Sequence, residues 1–205
     1  MYSSRKGSLI AIEGIDGAGK TTTAKILVEK LRELGFEAEY TYEPFSSPFS
    51  GALKKYIEEF GEVEPEIEAL AMALDRLFHV KKVIEPLLKK GVIVITDRYV
   101  YSSIAYQGAK GADIDWIKIV NRYAVEADLV IYLRVPLEIA LERMKRKESK
   151  WKYFEDINRL KKVLEIYESL VYQGLMIPID ASRSIDEVVN DCLNLILVKV
   201  IKPKI

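Results

Sequence analysis

The chain has 205 residues, and its 31 basic and 31 acidic side chains give a formal net charge of zero. This length predicts one α/β domain with a hydrophobic core, and the balanced charge argues against a general nucleic-acid or membrane-surface binder. A single cysteine, Cys192, excludes an internal disulfide, and a single histidine argues against a histidine-based metal site. No apolar run approaches the roughly 20 residues that span a bilayer, and none after the basic start is long enough for a signal peptide. We therefore expect a cytoplasmic protein.

The first predicted elements surround a glycine-rich segment, residues 14–21, which reads GIDGAGKT. This segment fits the P-loop pattern of Gly, four residues, Gly, Lys and then Ser or Thr. A mostly apolar strand is predicted just before it, over residues 8–13, and a helix just after it, over residues 22–34. In that setting, the backbone N–H groups of the loop and the N-terminus of the helix attract phosphate oxygens. The predicted cofactor-binding residues are Gly14, Ile15, Asp16, Gly17, Ala18, Gly19, Lys20, Thr21 and Thr22.

Further along the chain, helices and strands alternate. The remaining strands are predicted over residues 36–42, 92–96, 129–133 and 176–179. The remaining helices are predicted over residues 53–60, from residue 65 until Pro86 kinks or ends it, and over residues 101–106, 114–124, 136–144, 157–171 and 184–196. The last of these begins with a capping box, Ser184 and Glu187. This alternation predicts a single domain over residues 1–205, with one parallel sheet covered by helices on both faces.

Charged residues outside the loop supply further candidates. Asp97 follows the buried strand over residues 92–96, at the edge where open α/β sheets bind their ligands. We expect Asp97 and Thr21 to hold Mg²⁺, although a helix cap or a simple ion pair is the alternative for Asp97. Arg98 comes next, and its planar guanidinium suits a phosphate group. Arg76 lies on another predicted helix, where an exposed arginine without a role is the alternative.

A basic segment spans residues 143–152, where six cationic side chains are opposed only by Glu148 and give a net charge of +5. Three interpretations are open. The segment is a solvated helix end, a mobile lid whose cations close over a transferring phosphate, or a small nucleic-acid patch in which the neighbouring aromatic residues stack on bases. The cationic residues are Arg143, Lys145, Arg146, Lys147, Lys150 and Lys152.

Taken together, these motifs resemble those of the thymidylate kinases, which phosphorylate dTMP with ATP and Mg²⁺. The resemblance covers nearly the whole chain. Its most specific parts are residues 12–22, 43–44, 75–76, 97–99 and 102–108, and residues 179–182 resemble the loop on the adenine side of the family's ATP site. The resemblance implies a P-loop kinase fold, with a five-stranded parallel sheet in the order 2-3-1-4-5 and a short basic lid over approximately residues 143–155. It also implies a homodimer, and it gives no reason to expect a nucleic-acid or membrane partner.

The resemblance implies a role for each matching residue. Lys20 and Thr21 would serve the ATP phosphates and Mg²⁺, and Asp16 would lie near the 3′-hydroxyl of dTMP. Arg98 would bind the dTMP phosphate, and Arg76 the thymine carbonyl. The implied catalytic set is Asp16, Lys20, Arg98, Arg143 and Arg146, and Thr21 and Asp97 are the implied metal ligands. The implied substrate-binding set is Asp16, Glu43, Met72, Arg76, Arg98, Ser103, Tyr106, Gln107 and Phe154.

Within the family, the catalytic arginine lies either in the P-loop or in the lid. Here Gly17 occupies the loop position and the lid is basic, so the chain resembles the lid class, with Arg143 or Arg146 in the role. Met72 stands where the family often has a phenylalanine that stacks on thymine, and methionine gives a more adaptable surface. The alternatives to a thymidylate kinase are another P-loop kinase, a GTP-binding switch and a nucleic-acid-binding module built on the basic segment. The guanine signature Asn-Lys-x-Asp of a GTP-binding switch is absent from the sequence.

Overall fold

The computed structural model describes residues 6–44, 47–146 and 157–201, without the side chain of Arg146. Its strands are β1 (Ser8–Glu13), β2 (Ala38–Tyr42), β3 (Ile93–Asp97), β4 (Leu129–Arg134) and β5 (Ile177–Asp180). They form one parallel sheet in the order β2-β3-β1-β4-β5, with Ile12 of β1 opposite Asp97 of β3. The predicted parallel sheet and its strand order are therefore confirmed.

Nine α-helices lie in the described part of the chain. Their bounds are α1 (Lys20–Glu33), α2 (Pro48–Phe60), α3 (Pro65–His79), α4 (Glu85–Lys89), α5 (Val100–Ala109), α6 (Ile114–Val120), α7 (Leu137–Arg146), α8 (Ile157–Tyr172) and α9 (Ile185–Ile196). Helix α1 packs against α9, whereas α5 packs against α3, α6 and α8, so the helices cover the sheet on both faces. The P-loop connects β1 to α1 and therefore lies at the carboxyl edge of the sheet. No described helix has the length and apolar composition that a membrane span requires.

The central strands explain why the sequence folds as a parallel sheet. Every residue of β1 and of β3 is buried, as is most of β4, whereas the edge strands β2 and β5 are partly exposed. A strand covered on both faces is apolar without alternation, which is the pattern of the predicted strand over residues 92–96. The capping box at the start of α9 is present as predicted, with Ser184 and Glu187 bonded to each other's backbone.

Several boundaries differ from the prediction. Helix α2 begins at Pro48 rather than at residue 53, because Ser47 caps it by accepting a hydrogen bond from the N–H of Phe49 at 3.2 Å. Helix α6 ends at Val120, four residues earlier than predicted. Helix α3 ends at His79, and a π-helical turn, Val80–Ile84, leads into α4.

Pro86 is therefore not the end of the helical segment, since it is the second residue of α4 and the helix continues to Lys89. Proline lacks the N–H that an α-helix needs and crowds the preceding turn. The π-helical turn directly before α4 changes the hydrogen-bond pattern upstream of Pro86, and this change lets the chain continue as a helix.

Candidate active site

The P-loop passes very close to helix α7. Gly17 has a φ of 80°, which is a left-handed conformation, and a Cβ built on it would lie 2.3 Å from the carbonyl oxygen of Ala140. No side chain fits at that distance unless the backbone of α7 moves. An arginine at position 17 is therefore incompatible with this arrangement of the loop and α7.

Lys20, the first residue of α1, is held inside the loop. Its ammonium group donates to the carbonyl of Ile15 at 2.9 Å and lies 3.6 Å from the carboxylate of Asp16. Burial lowers the pKa of Lys20 and repulsion by Arg98 acts in the same direction, while the neighbouring carboxylates oppose both effects. The ammonium group is thus fixed beside the loop, in the setting that the P-loop pattern predicts for a residue that binds phosphates.

Thr21 and Asp97 meet across the carboxyl ends of β1 and β3. The hydroxyl of Thr21 donates to Asp97 Oδ2, and Asp97 Oδ1 is buried without a hydrogen-bond partner among the described residues. An unsatisfied buried oxygen costs about 1–3 kcal/mol, and a bound cation would remove that cost. Oxygen ligands of this kind suit Mg²⁺, which takes its other ligands from phosphates and water.

This pair is not a complete metal site by itself. In residues 6–44, 47–146 and 157–201, no group of three or more His, Cys, Asp or Glu side chains could hold a metal ion. A cation between Thr21 and Asp97 would therefore need the phosphates of a bound nucleotide. This requirement agrees with the P-loop beside it.

A cavity of about 540 Å³ lies over the P-loop and the first turn of α1. On the side away from the loop, it is lined by Arg143 and Met144 of α7 and by residues at the β5–α9 connection and in α9, namely Ala181, Arg183, Ile185 and Val188. The loop therefore opens into a space with polar N–H groups at one end and, at the other, apolar side chains together with Arg143 and Arg183. A nucleoside triphosphate has the same distribution of polar and apolar groups.

A second cavity, of about 350 Å³, lies beside the first. Asp16 and Met144 line both cavities, so the two spaces meet at the P-loop and at α7. The second cavity brings together eight residues predicted from the sequence, namely Asp16, Glu43, Met72, Arg76, Arg98, Ser103, Tyr106 and Gln107.

Arg98 forms one wall of this second cavity. Its φ of 71° is unusual for a residue other than glycine, and its backbone N–H donates to the carbonyl of Ile12 at 2.9 Å. Its guanidinium donates to Asp16 at 2.5 Å, to Ser102 at 3.2 Å and to the hydroxyl of Tyr106 at 3.3 Å. The uncommon backbone conformation is therefore accompanied by a fixed side-chain direction, which is typical of functional sites.

The opposite charges of Asp16 and Arg98 stabilise each other's ionised form. Burial alone would raise the pKa of Asp16, but the adjacent Arg98 and Lys20 outweigh it and lower that pKa to about 2. Burial likewise opposes the charged form of Arg98, yet Asp16 keeps its pKa well above the ordinary value. Both groups are therefore ionised throughout the physiological pH range.

Arg76, on α3, lies at another part of the same cavity. A guanidinium has five N–H donors, and four of them are used: by Glu43 at 2.7 Å, Ser103 at 3.1 Å, Asn121 at 2.6 Å and the carbonyl of Tyr99 at 3.0 Å. Within the described part of the chain, one N–H is left for a ligand. Arg76 is buried and held by this network, so the alternative of an exposed helical arginine is wrong.

Glu43 is held from two sides, because its second oxygen lies 2.9 Å from Nδ1 of His79. The other ring nitrogen of His79 lies 2.5 Å from the hydroxyl of Thr41. The single histidine of the chain therefore supports Glu43, and through Glu43 it supports the orientation of Arg76.

Gln107, on α5, contributes an amide to the cavity. Its Nε2 donates to Glu68 on α3 at 3.0 Å, and its Oε1 is buried without a partner among the described residues. Met72, one turn after Glu68, lines the same cavity and is buried. The described part of the cavity therefore combines an arginine donor, an amide acceptor and an apolar side chain.

Comparison with known proteins agrees with this geometry. A family model described as thymidylate kinase matches residues 12–192. The chain is 43% identical over 195 residues to a probable thymidylate kinase of Staphylothermus marinus, with 95% of this chain and 97% of the relative covered. It is 42% identical over 189 residues to one of Caldivirga maquilingensis, with 91% and 92% covered, and 38% identical over 196 residues to one of Thermococcus onnurineus, with 91% and 96% covered. The chain belongs to the thymidylate kinase family.

In this member of the thymidylate kinase family, the described part of the predicted lid is the end of α7, residues 143–146. Arg143 lines the first cavity, and its Nη1 donates to the carbonyl of Ala181 at 2.9 Å. Arg146 is the last residue of α7, and only its backbone is described. Phe154 lies outside the described residues. The roles predicted for Arg146, Phe154 and the rest of the basic segment stay predictions.

Several buried polar residues of this thymidylate kinase family site were not identified from the sequence, among them Glu13, Glu68, Ser102 and Asn121. Glu13 accepts hydrogen bonds from the backbone N–H groups of Tyr99 and Ser102 at 2.8 and 3.2 Å, and from the hydroxyls of Ser102 and Tyr167 at 2.6 and 3.1 Å. It thereby anchors the start of α5, and burial raises its pKa in spite of these bonds. The sequence feature that could have identified Glu13 is its position as the charged last residue of an otherwise mostly apolar strand. Asn121, which orients Arg76, gave no comparable signal.

Proposed function

We propose that this protein transfers the γ-phosphoryl group of ATP to dTMP and so forms dTDP. The observation that carries the proposal is the second cavity, in which Arg98 and Arg76 offer guanidinium groups at different parts of one space. A phosphate-bearing acceptor would use Arg98, and a base with a carbonyl group would use the remaining N–H of Arg76. Asp16 and Met144 connect this cavity to the P-loop, so donor and acceptor phosphates would meet beside Asp16.

The chemistry requires alignment and charge compensation rather than a covalent intermediate. Lys20 and the loop N–H groups would hold the ATP phosphates, while Arg98 would hold the dTMP phosphate in line with them. Thr21 and Asp97 would bind Mg²⁺, which when bound compensates the negative charge of the nucleotide phosphates. A phosphate acceptor scarcely needs a general base, so the site works without one.

The remaining residues of the cavity would select the nucleoside. Met72 offers an apolar surface for the ring, and Ser103 is held by Arg76 at the edge of the cavity. Tyr106 is buried in the same cavity, with its ring 4.8 Å from the guanidinium carbon of Arg98, and it would pack against the sugar at the position of a 2′-hydroxyl. We therefore expect a deoxyribonucleotide with a pyrimidine base.

A panel of phosphate acceptors with ATP and Mg²⁺ tests the proposal. We expect dTMP to give the highest kcat/KM and dUMP the next, because one missing methyl group is worth only about 1–3 kcal/mol. Greater turnover of AMP or GMP than of dTMP would overturn the proposal. The same panel with dTMP replaced by thymidine tests the need for the acceptor phosphate, and we expect thymidine to be inactive.

We also propose that the chain is a homodimer that uses an outward face of α3. Ile67, Leu70 and Leu74 lie at helical spacing and are 51%, 50% and 47% exposed, whereas Glu68 and Arg76 of the same helix are buried. An exposed apolar stripe of this kind is typical of an interface. Light scattering after size-exclusion chromatography should give twice the mass of one chain, and Leu70→Glu should give a monomer. A monomeric wild type would refute the dimer without affecting the proposed reaction.

A further inference from the structure

A buried ion pair between Glu68 and Lys110 lies beside the second cavity, which is the proposed dTMP site and is here called the acceptor cavity. Glu68 is 1% exposed, and its Oε2 accepts a hydrogen bond from the ammonium group of Lys110, whose side chain is 6% exposed. Glu68 also lines the acceptor cavity. Two charges in such a position cost desolvation energy, which excellent geometry and further hydrogen bonds must offset.

The other oxygen of Glu68 holds the amide of Gln107. Gln107 Nε2 donates to Glu68 Oε1 at 3.0 Å. A carboxylate only accepts hydrogen bonds, so a reversed amide would bring two oxygens together with no proton between them. The ammonium group of Lys110 holds the other oxygen of this carboxylate, Oε2, and so it fixes the direction in which Oε1 faces Gln107.

The oxygen of Gln107 is therefore the amide atom that is left for a ligand. Gln107 Oε1 is buried and has no partner in the described residues, although a buried polar atom is almost always hydrogen-bonded. Both Gln107 and Arg76 line the cavity, and Arg76 keeps one N–H. Gln107 Oε1 and the remaining N–H of Arg76 therefore offer an acceptor and a donor to the base.

This combination matches only some bases. Thymine and uracil present a carbonyl at C4 next to an N–H at N3, which complements a donor and an acceptor. Cytosine presents an amino group at C4 next to an acceptor nitrogen at N3, which is the opposite pattern. A site with buried polar groups rejects an analogue that leaves those groups unpaired.

We propose that Glu68 is a positioning residue: together with Lys110, it fixes the amide of Gln107 so that the amide oxygen meets the N3–H of the pyrimidine. The inference rests on the proposed function, because it assigns how that acceptor site discriminates between pyrimidines. Glu68 itself acts through Gln107 and need not touch the base.

The test is Glu68→Gln, which keeps the size of the side chain but lets position 68 donate as well as accept. The side-chain amide of Gln107 can then rotate and exchange the positions of Oε1 and Nε2. We therefore expect kcat/KM for dTMP relative to dCMP to fall by about tenfold or more. The change should lie mainly in KM, because phosphate alignment is untouched. N3-methyl-dTMP, a probe without the N3–H, should bind wild type about tenfold more weakly than dTMP, and the difference should shrink in Glu68→Gln.

The matched control is Glu62→Gln. Glu62 also pairs with a cation, Arg159, at 2.8 Å, but this pair is partly exposed and lies outside the acceptor cavity. The control should retain the dTMP-to-dCMP ratio of wild type. If Glu68→Gln does not fold, the double variant Glu68→Gln with Lys110→Met removes both charges of this pair and carries the same expectation.

An unchanged dTMP-to-dCMP ratio in a folded Glu68 variant would overturn the inference and leave the proposed function intact. An equal affinity of wild type for dTMP and N3-methyl-dTMP would overturn it too. A wild type that prefers AMP or GMP to dTMP would overturn the proposed function and this inference with it. These three outcomes are distinguishable in one set of assays.

Discussion

The guanidinium of Arg98 lies 2.5 Å from the carboxylate of Asp16, and this ion pair joins the end of β3 to the P-loop. Asp16 lines both cavities, so the pair lies where the two cavities meet. Since Ser102 and Tyr106 also hold the guanidinium, its direction is set before any phosphate arrives. Preorganisation of this kind reduces the entropy that is lost when donor and acceptor phosphates are aligned.

The first prediction concerns the stability that this ion pair provides. The pKa of Asp16 is about 2, against an ordinary value of 3.8. A depressed carboxyl pKa stabilises the folded state above the unfolded pKa, and this contribution disappears as the pH falls from about 4 to about 2. Asp16 is 34% exposed, so after solvent screening we expect a contribution of about 1 kcal/mol. Asp16→Asn should therefore reduce the free energy of unfolding at pH 6 and have much less effect at pH 2.

Urea unfolding at the two pH values measures this difference. Asp115→Asn is the control, because Asp115 is 85% exposed in its pair with Lys118 and should contribute little at either pH. An equal loss at pH 6 and pH 2 for Asp16→Asn would show that ionisation of Asp16 is not the source of the stabilisation.

The second prediction concerns Lys20, the buried cation of the P-loop. Lys20→Ala should reduce kcat by about 10³-fold or more, because the charge that compensates the ATP phosphates is lost. The melting temperature should not fall, since burial already disfavours the charged form of Lys20. Lys25→Ala, on the exposed face of the same helix, is the control and should retain the wild-type rate. Near-normal turnover of Lys20→Ala would reject the role given to Lys20.

The third prediction concerns the contribution of Arg76 to the stability of the fold. Both side chains of the Arg76–Glu43 pair are almost completely buried, and their atoms are 2.7 Å apart. Arg76→Met should lower the free energy of unfolding by about 3–5 kcal/mol, because Glu43 keeps a buried charge without its main partner. Adding Glu43→Gln should recover part of that loss, which a double-mutant cycle in urea measures.

The surface pair Arg134–Glu168 provides the comparison, since both side chains are 46% exposed. Arg134→Met should cost less than about 1 kcal/mol. Equal costs for Arg76→Met and Arg134→Met would mean that burial of the Arg76–Glu43 pair has no energetic consequence.

The P-loop and the end of β3 could be predicted from the sequence because their chemistry is local. Gly, Lys and Thr at fixed spacing specify the loop, and Asp97 and Arg98 directly follow an apolar strand, so the structure brings Thr21 and Asp97 together as expected. The strand order followed from the resemblance, since alternating elements alone are compatible with several parallel orders.

Helix α3 shows where prediction from the sequence ends. The sequence shows Ile67, Leu70 and Leu74 at helical spacing. In the structure these side chains point outward, whereas Glu68 and Arg76 are buried. Periodicity identifies an apolar stripe and does not reveal whether the stripe meets its own core or another surface. The partners of Arg76 and Glu68 lie 23 to 45 residues away along the chain, so no local pattern could reveal those networks.

The last prediction concerns the arginine of the lid. A Cβ at Gly17 would lie 2.3 Å from the backbone of α7, so the P-loop cannot supply an arginine to the transferring phosphoryl group. Arg143 and Arg146 on α7 are the candidates, and the guanidinium of Arg143 already binds the carbonyl of Ala181 at the wall of the first cavity. We therefore expect Arg143 to bind the nucleotide in its ground state and Arg146 to act in the transition state.

Steady-state kinetics separates the two roles. Arg143→Ala should raise KM for ATP with little change in kcat, whereas Arg146→Ala should lower kcat by about 10²-fold or more with little change in either KM. Lys145→Ala is the control, because this side chain is exposed on the same helix. The reverse pattern would assign the transition-state role to Arg143. If both arginine variants lost only affinity, by less than about tenfold and in a salt-dependent way, the basic segment would be a helix end that attracts anions by its charge alone.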